Sequence, residues 1–442
     1  MRPLGRWKGV AWIVAAALLA TACGAPAASS PPSAAPATAA PESASAEPAS
    51  AEPASAEPVS ADLTFQFWIG GEADQAAWET VTAVAMNDHP GLNITVQGTP
   101  WPDYWSKIGN QLSNTGAPCI VGMQSLRLAA YGDQLVPLEE LMAKYEVNAA
   151  DFDTSILDSM KHGGKQVALP YDFGPLILYY NRDLFRAANL AEPKPGWTLA
   201  DFTAAATALT TGDQVGFSTA SIDQEYLSWV LDLSGAEVLD AAGNLAVTAP
   251  AFVDGYKKYV ELMRSGIASD VTVAGYDGYV IMLGEWQAGT AAMYVDGPWM
   301  AISNKAVPFE MGMAPMPVGA DGSKHYTAGS GFGISKQCPT PDAAFAAIVS
   351  MTGEEALTGL ASVGRAYPAR PAVADAWYTA ADIEGAKETL DYAIENSVPW
   401  LTPPNWVQMA DLFDRTGLQA LTGELTPEQV LDIVQEQGAA GS

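Results

Sequence analysis

The residues best suited to chemistry are sparse. Three histidines, His89, His162 and His325, stand far apart, and the three cysteines are Cys23, Cys119 and Cys338. No HExxH pair and no Cys/His cluster has metal-ligand spacing, so no metal centre is expected. The run GSGFG at 329–333 has its glycines in the wrong places for a nucleophile elbow. It lies late in the chain and opens no βαβ unit, which makes it a poor dinucleotide fingerprint, and no P-loop occurs. Neither a cofactor nor an enzyme is expected. Paired carboxylates of the glycosidase kind stay open, because 50 acidic residues offer many chance pairs and such pairing is spatial. What remains is aromatic. Of 13 tryptophans, nine sit beside Gly, Pro or acids near predicted strand ends: Trp68, Trp101, Trp105, Trp197, Trp229, Trp286, Trp299, Trp400 and Trp406. A cleft of rings rimmed by hydrogen-bonding groups suits an uncharged polar ligand such as a sugar, whose flat C–H faces stack on rings.

Charge narrows the partners. There are 21 Lys+Arg against 50 Asp+Glu, a formal charge of −29 over 442 residues. Phosphate binding needs basic clusters, so nucleic acid is excluded, as is docking on anionic lipid through a basic face. A cationic ligand is allowed but not required.

The N-terminus reads as an address. Arg2, Arg6 and Lys8 precede an apolar run, Gly9–Ala22, that is shorter than the roughly 20 residues a membrane span needs. It ends Ala20-Thr21-Ala22-Cys23, which resembles a bacterial lipobox, with Ala20 where Leu is usual. Residues 1–22 are therefore expected to be a lipoprotein signal peptide and Cys23 the lipidated residue. Residues 23–62 are mostly Ala, Pro, Ser and Glu, with SAEPA at 45–49 recurring at 50–54, and too little to bury to offset their ordering entropy. They read as an extended stalk. Export leaves Cys119 and Cys338 either bridged or separately buried, and spacing does not decide between these.

The elements that must position the rings follow from Leu63 onward. Strand signals at 63–69, 92–98 and 119–123 alternate with helical ones at 74–89, 104–114 and 136–145. A second set has strands at 175–181, 291–296 and 331–335. Its helices fall at 198–209, with Thr198 as N-cap, and at 224–234, 250–265 and 404–438. The rhythm predicts an α/β chain with mainly parallel, doubly wound sheets, in two lobes with ligand at the carboxyl ends of the strands.

Seven segments in register then carry a resemblance. They are TPWPDYWSKIGNQLSNTGAPCIVGM (99–123), ALPYDFGPLILYYNRDLF (168–185), PGWTLADF (195–202), GEWQAGTAAMYVDGPWM (284–300), YTAGSGFGISKQCPTPDAAFAAIVSMTGEEAL (326–357), GRAYPARPAV (364–373) and LTGELTPEQVL (421–431). Over about residues 63–435 the chain resembles the extracellular solute-binding proteins of ABC importers, in the carbohydrate-binding branch similar to maltose-binding proteins. Cys119 stands where that family usually has Asp. The resemblance implies a type II periplasmic-binding-protein-like, Venus-flytrap fold. Lobe I would hold 63–172 and 328–367, and lobe II 173–327 and 368–442. Three crossings are expected near Tyr171–Gly174, His325–Ser330 and Arg365–Ala369. It also implies a monomer, lipid-anchored on the outer face of the cytoplasmic membrane, that passes a sugar to permease subunits.

The resemblance further implies the site. Trp299 matches the Gly-Pro-Trp stacking ring. Tyr171 and Asp172 lie at the first crossing, and Glu72 follows the first strand's Gly turn. Tyr104 and Trp105 belong to the early block, and Gln124 and Ser125 end a strand. Gly329, Ser330 and Gly331 are expected to bring backbone N–H groups to ligand at the second crossing, and Arg365 opens the third. Trp229 and Trp406 would serve the second lobe, whereas Lys107 and Arg127 read as surface or ion-pair residues. By the same analogy Cys119 and Cys338 meet at a sheet rim and bridge. A polyamine, amino acid or peptide ligand on the same fold, a secreted glycosidase and an adhesive surface lipoprotein are the rival readings.

Overall fold

The structure is a computed structural model that describes residues 59–439, apart from 221, 270–272, 274 and 320–323. Cys23 and most of the expected stalk lie outside the described residues. The first strand, β1 (Ser60–Trp68), begins inside the segment expected to be stalk. Leu63, Phe65 and Phe67 alternate with Thr64 and Gln66, and Phe65–Trp68 are all buried. That is the pattern of a central strand covered on both faces. Helix α1 (Glu72–Asp88), β2 (Gly91–Thr99), α2 (Trp101–Leu112), β3 (Ile120–Gln124), α3 (Ser125–Tyr131) and α4 (Glu139–Lys144) follow. After α5 (Thr154–Ser159) and a short hairpin, β4 (Lys161–His162) and β5 (Lys165–Gln166), comes the long β6 (Ala168–Pro175).

Only Leu176 separates β6 from β7 (Ile177–Asn181), which belongs to a different sheet. Next come α6 (Arg182–Ala187), α7 (Leu199–Leu209), α8 (Asp223–Ser234), α9 (Pro250–Arg264), α10 (Gly275–Ala288), β8 (Met293–Asp296), α11 (Ala301–Asn304) and β9 (Met311–Pro315). Helix α7 starts in a capping box, Thr198 with Asp201, and α8 stops at Gly235 in the left-handed conformation, φ 61°. The chain closes with β10 (His325–Ile334), α12 (Pro341–Met351), α13 (Glu354–Ser362), α14 (Ala374–Ala381), α15 (Ala386–Glu395), β11 (Ser397–Pro399), α16 (Trp406–Thr422) and α17 (Pro427–Ala439).

The first sheet has strand order β11-β10-β3-β1-β2, with β6 on the other side of β10. Strands β2, β1 and β3 are parallel, whereas β10 is antiparallel to both β3 and β6. The second sheet, β8-β7-β9, differs from the mainly parallel one expected, since both named pairings are antiparallel. The reason lies in β7, which continues a strand of the first sheet and is not reached by a βαβ crossover, so nothing forces its neighbours parallel. Parallel order survives beside β8, where single bridges join Val215 to Ala291 and Ser218 to Tyr294.

The stretches expected as crossings lie side by side. Beyond the β6–β10 pairing, Phe173 N–H donates to Tyr367 O at 3.2 Å and Ala369 N–H to Tyr171 O at 3.0 Å. At the rim of the first sheet, Cys119 and Cys338 are joined by a disulfide, with Cα atoms 4.6 Å apart. They flank the paired ends of β3 and β10, where Ile120 lies opposite Ile334. Among the described residues no helix is long and apolar enough to cross a membrane.

Candidate functional site

Strand order reverses at β1. The chain goes to β2 on one side and returns to β3 on the other, so the carboxyl ends of β1 and β3 form a topological switch point, where open α/β sheets hold ligands. Strand β1 delivers Trp68 there and β3 delivers Gln124, with Ser125 opening α3. Helix α2 supplies Trp101 and Trp105. The three indoles form a cluster, with centroids 5.1 Å apart for Trp68–Trp101, 5.4 Å for Trp68–Trp105 and 5.3 Å for Trp101–Trp105.

Arg127 fills this box. Its guanidinium lies 5.2 Å from the Trp101 ring centroid and 4.9 Å from that of Trp105. Its Nη1 donates to Gln124 Oε1, while its Nε has no hydrogen-bond partner among the described residues. Burial lowers its proton affinity, which the charges of Asp223 and Asp414 help to restore. Arg127 therefore sits between an aromatic wall built on the first sheet and an acidic one built on α8 and α16.

The acidic wall is buried. Asp223, in the first turn of α8, accepts the Trp406 Nε1–H at 2.9 Å. Two residues on, Glu225 is 2% exposed and its Oε2 has no partner among the described residues. Burial, then the charges of Asp296 and Asp223, push its carboxyl well above the usual range. Asp296 ends β8, accepts Tyr279 O–H at 2.8 Å and its neighbour Gly297 N–H at 2.7 Å, and is also bonded by the Trp299 side chain. Burial raises it to about 7, against these bonds. Asp414 is raised to about 9, first by burial and then by the charges of Asp223 and Asp411.

A third group lies at the strand crossings. Asp172 accepts Ser330 N–H at 2.8 Å, and burial lifts its carboxyl to about 6 against the nearby Arg365 charge. Arg365 pairs with Asp74 and lies 5.1 Å from the Trp78 centroid. The Tyr171 ring stacks on Phe332 at 5.1 Å and meets Trp78 edge-on at 5.0 Å.

The other expected residues divide. Trp105, Gln124 and Trp299 lie among the groups just described, and the Trp299 ring occupies the space a Cβ on Gly297 would need. Glu72 is exposed at the start of α1. Tyr104 is a core strut, wholly buried, with its O–H donating to Gly122 O at 2.8 Å. Trp229 packs between Phe202 and Phe217, at 4.9 and 5.2 Å, in the core under the second sheet. Trp406 is fully buried and reaches the site through Asp223 alone. The N–H groups expected to meet ligand at 329 and 330 are taken, that of Gly329 by Ser125 Oγ at 3.2 Å and that of Ser330 by Asp172. Close strand packing accounts for Gly331, where a Cβ would lie 2.6 Å from Leu169 O. From sequence Arg127 reads as a surface or ion-pair residue, and Asp223, Glu225, Asp296 and Asp414 are not singled out. The available signal was position: Arg127 lies just past a strand end, and Asp223 and Glu225 open a helix.

The family model described as bacterial extracellular solute-binding protein matches residues 70–358. A curated binding protein of Brucella abortus (strain 2308) is 23% identical over 256 residues, 56% of this chain and 61% of that protein. The alignment thus spans less than two thirds of that relative's length. Among solved structures, an ABC substrate-binding protein from Listeria monocytogenes in complex with cycloalternan superposes with a TM-score of 0.76 at 20% identity, covering 85% of this chain and 97% of that one. A solute-binding protein from Thermotoga lettingae bound with α-D-tagatose gives 0.74 at 19% identity, covering 86% and 99%. At these identities the likeness shows the fold alone.

Proposed function

We propose that this chain, which belongs to the bacterial extracellular solute-binding protein family, captures a saccharide in the cleft between its two sheets and delivers it to the permease of an ABC importer. The observation that carries this reading is the Trp101–Trp105 wall with Arg127 and Gln124 at the switch point, facing the charges of Asp223 and Asp414. Indole faces stack on sugar C–H surfaces, and planar guanidinium, amide and carboxylate groups satisfy hydroxyls. The structures named above that hold cycloalternan and α-D-tagatose belong to proteins of the same fold.

In this reading Trp105, Gln124, Ser125, Trp299 and Arg127 line the ligand, and Glu72 and Tyr171 stand at its margin. Asp172 and Arg365 brace the crossings. Lobes of 63–172 with 328–367, and 173–327 with 368–442, close on the sugar because it touches both, which shifts the open–closed equilibrium by its differential affinity. Cys23 carries the lipid that holds a monomer at the outer face of the membrane, and no reaction follows binding.

Tryptophan-fluorescence titration of the full chain in mild detergent, against mono- and oligosaccharides, polyols, polyamines and amino acids, tests the reading. Saturable binding of one saccharide class at micromolar or tighter levels, with the ligand recovered unchanged, is the expected result. A response confined to amino acids or polyamines would overturn the substrate class. Hydrolysis of the sugar would overturn the transport reading. Metabolic labelling with palmitate that survives Cys23→Ser would overturn the lipid anchor.

A further inference from the structure

We infer that the saccharide taken by this cleft carries an amino group, bound as an ammonium against the carboxylates of Glu225 and Asp296 beside Trp299. The inference rests on the saccharide reading above and narrows it.

The placement comes from the backbone. Residues 217–219 run parallel to β8, with Ser218 opposite Tyr294, so the carboxyl ends of the two stretches lie together. Asp296 ends one, and the other leads into α8, whose first turn holds Asp223 and Glu225. This is the ligand edge of an α/β sheet. Asp296 is linked to the cleft through Trp299, which bonds it and is partly exposed.

Three unpartnered groups mark the place, one of them the Tyr259 hydroxyl, which feels the Glu225 charge. Glu225 is 2% exposed and its Oε2 has no partner among the described residues. Thr219, 3% exposed, has an Oγ1 equally without one, and it is not an acid. A buried carboxyl oxygen left without a donor, as at Glu225, is costly, and the charge of a second acid nearby, Asp296, makes it more so. Arg127 does not relieve them, since its charge is spent on Asp223 and Asp414. The tyrosines that surround Glu225 and Asp296, Tyr259, Tyr279 and Tyr294, add no positive charge.

A neutral hydroxyl supplies one donor and no charge, so the two carboxyls stay as burial holds them, with raised proton affinity. An ammonium supplies three donors and a positive charge, which lets Glu225 and Asp296, close enough to feel each other's charge, ionise against it. The overall charge of −29 also raises the local concentration of such a ligand.

The test is calorimetry of the full chain with matched probes: D-glucosamine against D-glucose, and the β-1,4 glucosamine disaccharide against cellobiose and N,N′-diacetylchitobiose. Spermidine serves as a cation without a sugar ring. The amino member of a pair is expected to bind at least about tenfold tighter than its neutral partners. Acetylation, which removes the charge and leaves the protein untouched, should abolish the advantage. In E225Q/D296N the ratio should fall to near one, with thermal unfolding used to confirm a folded variant. Neutral saccharides that bind as tightly as amino ones would overturn the inference and leave sugar capture standing. An advantage that persists in E225Q/D296N would overturn the assignment to these carboxylates. Binding of spermidine with no saccharide at all would overturn the saccharide reading itself.

Discussion

The two walls of the cleft solve the burial of charge in opposite ways. On the first sheet a cation, Arg127, is enclosed by the indoles of Trp101 and Trp105 and held by Gln124. Its hydrogen-bond and ring partners are on its own wall, and its charge is supported across the gap by Asp223 and Asp414. On the second side four carboxylates, Asp223, Glu225, Asp296 and Asp414, are raised in proton affinity or held by neutral donors such as Trp406 and Tyr279. Both walls keep unpartnered polar atoms, Arg127 Nε and Trp105 Nε1 on the first and Glu225 Oε2 and Asp414 Oδ1 on the second, but only the second gathers several acids. A preorganised face costs little to use, while an uncompensated one stores a demand that only an added donor meets. Selectivity is therefore expected to reside in the second wall and stacking in the first.

Four experiments break or sharpen this contrast. The largest effect is expected from Trp229→Ala, which empties a core site beneath the second sheet. Urea unfolding should show a loss of about 4 kcal/mol, and a loss below about 1 kcal/mol would mean the ring is not core packing. Arg127→Met comes next. It leaves the buried Asp223 without its nearby cation and should lower unfolding free energy by about 3 kcal/mol at neutral pH, read by urea unfolding, and a loss below about 1 kcal/mol would mean the guanidinium does not support that wall. Trp105→Ala should cost about 1–2 kcal/mol of saccharide affinity in calorimetry through lost stacking and cation–π contact. Unchanged affinity would remove the first wall from the ligand's path.

The smallest effect concerns pH. Asp172 is raised to about 6 and Asp296 to about 7, chiefly by burial. A carboxyl raised on folding binds its proton more tightly in the folded chain. Its contribution is fully present below the ordinary value of about 4 and is lost as pH rises through the folded value. Thermal unfolding without ligand should therefore show stability falling between about pH 4 and pH 7. The decline should flatten in E225Q/D296N, and an equal decline there would place its origin outside the second wall.

Much of the architecture is legible in local pattern. Alternation of Leu63, Phe65 and Phe67 marks β1, Thr198 with Asp201 marks the start of α7, and each lies where periodicity and capping chemistry place it. Less of the site is legible. Trp229 and Trp105 are the same residue type, each beside a serine, yet one is core and the other faces a guanidinium. Gly329 and Gly331 read as openings toward ligand, and in the folded chain their space is taken by the strand alongside, β6.

By itself the sequence determined the order of strands and helices, the two cysteines left for the folded part, the acidic balance and the family. These depend on residue type and short spacing, which local periodicity records. The tertiary structure alone decided which rings gather at the switch point, which lie in the core, and which buried polar groups lack partners. Those outcomes depend on pairs far apart in the chain, such as Trp406 with Asp223 at a separation of 183 residues and Arg365 with Asp74 at 291. Burial and charge compensation belong to the packed interior, where a side chain's surroundings come from several elements at once and no window of neighbouring residues contains them.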